Sequence, residues 1–131
     1  MGETQHMKAR FSSDSWEATN DQGNTLTIGA GPEDFSPYNL LLAALEGCLY
    51  ATIISVAEKM HASYDLLEME VTGVKRDEKV ATLETCHIAI TVTNATDEKK
   101  VKKSCDIGTR YCSIYNTLSQ IAKMSWDVKY I

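Results

Sequence analysis

Apolar and polar residues alternate along much of this chain, and the alternation gives way to one long apolar run. From Leu40 to Ala57 only Glu46, Thr52 and Ser55 interrupt it with polar side chains. Ser36-Pro37 stands just before it. Serine is a favoured N-cap, and proline is tolerated at the first helical position. The run therefore predicts a helix reaching to about Met60. A helix that is apolar on every side is buried on every side, so this one is expected at the centre of the fold, with Cys48 halfway along it.

The segments around it alternate with the period of strands. Lys8 to Asn20 predicts an edge strand, Asn20 to Asn24 a turn that uses Gly23, and Thr25 to Ile28 the return of a β-hairpin. Gly29-Ala30-Gly31-Pro32 ends it, with no third glycine opening a helix as a dinucleotide motif needs. Tyr64 to Arg76 sets Leu67, Met69 and Val71 against Glu68, Glu70 and Thr72. Ala81 to Asn94 sets Cys86, Ile88, Ile90 and Val92 against Thr85, His87, Ala89 and Thr91. Joined by the polar turn Asp77-Glu78-Lys79, these two predict a second hairpin with one wet face.

Thr96-Asp97-Glu98 predicts the start of a short helix ending in Lys99, Lys100, Lys102 and Lys103, so that an acidic first turn and basic last turns complement the helix dipole. Ile107-Gly108 is expected to separate it from a further helix, N-capped by Thr109 and running to about Lys123, with Tyr111, Ile114, Tyr115, Leu118, Ile121 and Ala122 as its apolar stripe. Trp126 to Ile131 closes the chain as a strand. The order β-β-α-β-β-α-α-β predicts an α+β fold in a single domain over residues 1–131, with Met1 to His6 as a flexible extension. So few elements do not cover a helix this apolar, and an obligate homodimer is expected.

Composition narrows the function classes. The net charge of -5 argues against a general nucleic-acid binder. The polar start, Met1 to Arg10, has no apolar core of a signal peptide, which makes a cytoplasmic location the expectation. Glu46 and Ser55 inside the apolar run, and the lack of a flanking basic cluster, argue against a membrane span. The four cysteines, Cys48, Cys86, Cys105 and Cys112, form no C-x-x-C pair and no zinc spacing. Cys86 and His87 are adjacent on a strand and face opposite sides, Cys105 reads as a packing residue, and His6 and His61 read as exposed. Taken alone, Cys48 also reads as a packing residue. Cys112 changes the weighting: with Thr109 as N-cap it falls in the first turn of a helix, where N–H groups and the dipole stabilise a thiolate. Sequence alone does not place the two thiols together.

Ser36-Pro37 followed by Leu40-Leu41-Leu42-Ala43-Ala44-Leu45-Glu46-Gly47-Cys48, and later Tyr111-Cys112-Ser113, resemble the paired signature of the OsmC/Ohr family of thiol-dependent peroxidases, in particular its short, divergent branch. The resemblance spans Met7 to Ile131. It implies an OsmC-like fold in an intertwined homodimer, with the long helices packed together and active sites at the interface. It implies that Cys48 is the peroxidatic cysteine, attacking the O–O bond of a hydroperoxide to leave a sulfenic acid. Cys112 would be the resolving cysteine, and an external dithiol, lipoyl-type in some relatives, would reduce the resulting disulfide. No cofactor or metal is implied, and the partners are the second subunit, the hydroperoxide and the dithiol, with no nucleic acid and no membrane.

The chain departs from the family pattern at two places. Tyr38 stands where the peroxidases carry a glutamate, and Asp14 to Asn24 contains no arginine where they carry one that pairs with the thiolate. Arg10 and Arg110 are the candidates to replace it, and Glu46 is a carboxylate that either orients an arginine or pairs across the dimer. The rival expectation is an OsmC-fold dimer without efficient peroxidase activity that binds a small apolar ligand or senses oxidants through the same cysteines.

Overall fold

The computed structural model describes residues 2–131, and Met1 lies outside the described residues. The fold is α+β, with two sheets and three helices among the described residues. The chain forms two compact units, one ending at Leu41 and one over Leu42–Ile131.

The first unit is a three-stranded antiparallel sheet of β1 (Met7–Phe11), β2 (Trp16–Asn20) and β3 (Thr25–Thr27). The expected single strand over Lys8 to Asn20 is two strands. Ser12 supplies the break: its Oγ accepts from the N–H groups of Asp14 at 3.3 Å and Ser15 at 3.2 Å, a side-chain turn that needs no glycine or proline. Phe11 and Trp16, exposed and directly paired across this turn, stack edge to face at 5.8 Å. Gly23, at φ +84°, makes the second turn as expected. His6 reaches Asp21 at 2.8 Å.

Helix α1 (Pro37–Lys59) starts where the sequence puts it. Ser36 Oγ accepts from the Asn39 N–H and Asn39 Oδ1 accepts from the Ser36 N–H, both at 3.1 Å, a reciprocal cap. Within the chain the helix buries one stripe, Leu45, Leu49, Ile53 and Ala57, spaced four apart. Ala43, Ala44, Gly47, Tyr50, Ala51 and Ser55 stay exposed. The expected burial on every side is thus met on one side by the chain itself.

The second unit adds β4 (Leu66–Lys75), β5 (Leu83–Thr93) and β6 (Lys123–Tyr130) in one sheet of that order. β4 and β5 pair antiparallel, and β6 lies parallel to β5 on its other side. Cys86, Ile88, Ile90 and Val92 of β5 are buried in the core of this unit. Helix α2 (Glu98–Tyr111) begins at Asp97, whose carboxylate accepts from the Lys100 N–H, and is followed by the short α3 (Ser113–Ser119).

Two expectations fail at α2. It does not end after the lysines, so Lys99, Lys100, Lys102 and Lys103 lie in its first half. Nor does Ile107-Gly108 break it. A Cβ on Gly108 would stand 2.7 Å from Ile53 Cγ1, so this glycine is the point where α2 packs hard against α1. Thr109 is buried inside the helix and returns its hydroxyl to the Asp106 carbonyl at 2.9 Å. The chain leaves the helix at Cys112 instead, in an extended conformation at φ -69° and ψ 117°.

Candidate functional site

Cys112 ends α2 and caps α3 at once. Its N–H donates to the Gly108 carbonyl at 2.8 Å, and its sulfur accepts from the Tyr115 N–H at 3.4 Å. Asn116 secures the junction, with Nδ2 donating to the carbonyls of Cys112 at 2.8 Å and Arg110 at 3.0 Å. This fixes a fully buried sulfur at the end of the helix that Gly108 holds against α1.

The sulfur it faces is that of Cys48. The two Sγ atoms are 3.2 Å apart, with Cys112 donating, and both thiols are free. A disulfide needs about 2.05 Å, so bond formation asks for roughly 1.2 Å of movement. Ser113 Oγ lies 3.7 Å from Cys48 Sγ on the same side.

The two thiols are electrically unlike. At Cys48 partial burial opposes ionisation, but it is outweighed by hydrogen bonds from the Ile114 N–H, the Cys112 thiol, and the hydroxyl and N–H of Ser113, so its pKa falls below the ordinary thiol value. At Cys112 burial and the neighbouring Cys48 push the pKa up to about 11, against hydrogen bonds from the Tyr115 and Ile114 N–H groups. The thiolate form is thus favoured at Cys48 relative to an ordinary thiol and disfavoured at Cys112, whose thiol donates to Cys48. The groups that lower Cys48 are hydrogen-bond donors, and no arginine is among them.

Cys48 opens on a groove of about 570 Å³ lined by Ala51, Thr52, Ser55, Val56 and Lys59 of α1 and by Ile107 and Tyr111 of α2. Most of that wall is hydrocarbon, and Tyr111 is 74% exposed at its rim.

Glu46 and Arg110 have other neighbours. Glu46 is half-buried and lines a different hollow with Gly47, Tyr50, Leu67 and Met69. Arg110 is exposed and pairs with Asp106 at 3.1 Å. Arg10 is exposed on β1, opposite Glu17 in the register. Tyr38 is half-buried in the first turn of α1. Ser113 and the N–H of Ile114 were not singled out from the sequence. The signal available was their position directly after Cys112, obscured by placing the cap at Thr109.

Of the other thiols, burial pushes Cys105 up to about 11 and also raises Cys86. His87 is not inert either: its ring meets Ser125 Oγ at 2.7 Å and Asp127 Oδ1 at 2.9 Å on the solvent face of the sheet, tying β5 to β6. No group of three or more His, Cys, Asp or Glu side chains is arranged to hold a metal among the described residues.

The fold is that of known structures. An OsmC-like protein from Mycoplasma pneumoniae superposes with a TM-score of 0.88 at 24% identity, over 100% of this chain and 99% of that one. A hypothetical protein from Aquifex aeolicus gives 0.83 at 20% identity, over 99% of each chain. The organic hydroperoxide resistance protein OhrB of Bacillus subtilis gives 0.67 at 18% identity, over 96% of this chain and 98% of that one. No curated protein sequence matches. The family model for OsmC-like proteins matches residues 29–127, and the chain belongs to that family.

Proposed function

We propose that the chain is a thiol-dependent peroxidase acting on organic hydroperoxides, with Cys48 as nucleophile and Cys112 as resolving thiol. The observation that carries this is the pair itself: two free sulfurs 3.2 Å apart, with the pKa of one lowered and that of the other raised to about 11. The Cys48 thiolate attacks the distal oxygen of the hydroperoxide and the O–O bond breaks. The alkoxide takes a proton from solvent and leaves as an alcohol, and Cys48 becomes a sulfenic acid. The Cys112 sulfur then attacks the Cys48 sulfur, water leaves, and a disulfide remains. An external dithiol returns both thiols by exchange. The hydrocarbon wall of the groove at Cys48 favours an alkyl hydroperoxide over hydrogen peroxide.

The active form in this reading is a homodimer. The exposed side of α1 is a line of small residues, Ala43, Ala44, Gly47, Ala51 and Ser55, and a Cβ on Gly47 would meet nothing within 4 Å. Such a face allows a second helix to come close, and the groove at Cys48 shares Ala51 and Ser55 with it.

Single-turnover mixing of the reduced protein with cumene hydroperoxide tests both parts. Disulfide formation should be fast and lost in Cys48→Ser. In Cys112→Ser a sulfenic acid that dimedone traps should accumulate. Sedimentation of the same sample should give twice the mass of the chain. Reaction no faster than that of a free thiol would remove the peroxidase and leave the oxidant sensor, which the lack of an arginine among the groups acting on Cys48 favours. A monomer in sedimentation would remove the dimer.

A further inference from the structure

The segment between β3 and α1 carries Gly29-Ala30-Gly31, which is no dinucleotide motif, and the structure gives its glycines a use. Asp34 turns back on them, and its Oδ2 accepts from the Gly31 N–H at 3.1 Å. A Cβ on Gly29 or on Gly31 would stand 2.8 Å from that same oxygen. Both glycines have ordinary φ angles, so it is the carboxylate, and not the backbone, that leaves no room for a side chain. The carboxylate seated in this way is half-buried and forms no ion pair among the described residues.

Asp34 lines a hollow of about 520 Å³ within the first unit, between the turn joining β1 to β2 and the start of α1. Pockets that take small molecules run from roughly 300 to 1,000 Å³. Trp16, Ile28 and Pro37 give this one a hydrocarbon wall, and Asp14 adds a second carboxylate. Trp16 is 51% exposed and meets Phe11 only edge to face, so ring surface is left for a ligand. No Lys, Arg or His lines the hollow among the described residues. The backbone donors beside it are already engaged. The N–H groups of Asp14 and Ser15 go to the Ser12 hydroxyl, that of Ile28 to the Trp16 carbonyl, that of Gly29 to the Phe35 carbonyl and that of Ser36 to Asn39. Pro37 has no N–H to offer. What the hollow presents is therefore hydrocarbon, an aromatic ring and acceptor oxygens.

We propose that this hollow binds a small organic cation, a protonated amine on an apolar body. The ammonium donates to the Asp34 carboxylate in a charge-assisted hydrogen bond, and Asp14 adds a second negative charge to the same wall. The apolar body lies against Ile28, Pro37 and Trp16, and the face of the Trp16 ring attracts the cation in its own right. An anion would meet two carboxylates and engaged donors. A bare metal ion fits less well, because a hard cation takes about six to eight oxygen ligands and would leave the hydrocarbon wall unused. None of the residues lining this hollow lines the groove at Cys48, and the proposal does not depend on the peroxidase reading.

The test follows the amide chemical shifts of the full, isotope-labelled chain at neutral pH. The probes are phenethylamine, its neutral counterpart phenylethanol and the anion phenylacetate, each added to about 10 mM. Phenethylamine should shift the amides of residues 13–16 and 28–36 and bind at least about tenfold more tightly than phenylethanol, with phenylacetate weaker still. Asp34→Asn keeps an acceptor for the Gly31 N–H. It should weaken the amine about tenfold and change the alcohol less than about twofold, a split that a merely structural role would not produce. The control, Asp77→Asn, removes the same charge at another exposed position and should change either probe less than about twofold. Thermal midpoints check that both variants fold. Equal binding of amine and alcohol, or amine binding untouched by Asp34→Asn, would overturn the site. So would shifts confined to other residues, or no binding of the amine at all. Magnesium or calcium shifting the same amides where the amine does not would make it a metal site and overturn the proposal. Amine binding that fades as the protein concentration rises would mark a second copy of the chain as the occupant and overturn it too.

Discussion

Cys105 and Cys112 are both fully buried, both on or at the end of α2, and both raised to about 11. Burial alone raises Cys105. Cys112 instead has a second sulfur at 3.2 Å, and an N–H, that of Tyr115, directed at its own sulfur. The difference lies in neighbours rather than in depth. A buried thiol beside hydrocarbon stays a packing residue, whereas one facing a partly open thiol can lower its partner's pKa and then trap it. Cys48 and Cys86 repeat the contrast from the other side: donors gather around the first, and only burial acts on the second.

The comparison is broken most sharply by alkylation. At pH 7 the ionised fraction of a thiol at about 11 is roughly a hundredfold below that of a thiol at 9, and Cys48 lies below 9. Iodoacetamide should label Cys48 at least about a hundredfold faster than Cys105, as read by peptide mass spectrometry over time. The labelling rate should rise with pH and level off as pH passes the lowered pKa of Cys48, earlier than for a free thiol. Equal labelling of the two would erase the distinction.

Next in size is Gly108→Ala. Its Cβ must displace Ile53, which should destabilise the protein by about 1–3 kcal/mol and shift the end of α2 away from Cys48. Denaturant titration measures the first effect. Disulfide formation after a peroxide pulse measures the second and should slow more than the formation of sulfenic acid. Ser113→Ala should have the smallest effect. Loss of one hydrogen bond worth about 0.5–1.5 kcal/mol should raise the Cys48 pKa and slow its reaction at neutral pH by about three- to tenfold. The rate at high pH, where the thiolate forms anyway, should be unchanged. A uniform loss across pH would make Ser113 a packing residue.

What could be read in the chain was local. The cap at Ser36, the turn at Gly23, and the alternation of β4 and β5 each depend on neighbours in sequence, and each stands where the residues put it. The misreadings come from residues whose role is set at long range. Gly108 has the composition of a helix stop and is a packing contact with Ile53. Cys112 carries no breaker signature and ends the helix. The lysines resemble a basic last turn, yet the helix continues past them to Tyr111. The parallel pairing of β6 with β5 and the approach of Cys48 to Cys112 are tertiary facts with no local trace. The family motif, not the spacing, pairs those two cysteines in the sequence. Ser12 is a different case: its turn was legible as a serine two and three residues before the N–H groups it accepts from.

Around Cys48 the surface of α1 changes character from one residue to the next. Gly47 is open, Cys48 is half-covered, Leu49 is sealed and Tyr50 is open again. Each step is about 100° of rotation, so the Cys48 sulfur lies on the seam between a face the chain fills and a face it leaves bare. Tolerance to substitution should therefore vary abruptly along this helix. A larger side chain at 49 enters a fully buried position, while one at 47 meets nothing within 4 Å at its Cβ. For anyone redesigning the protein, the two neighbours of Cys48 are therefore unlike: position 49 is tied to the packing of the chain itself, and position 47 is not.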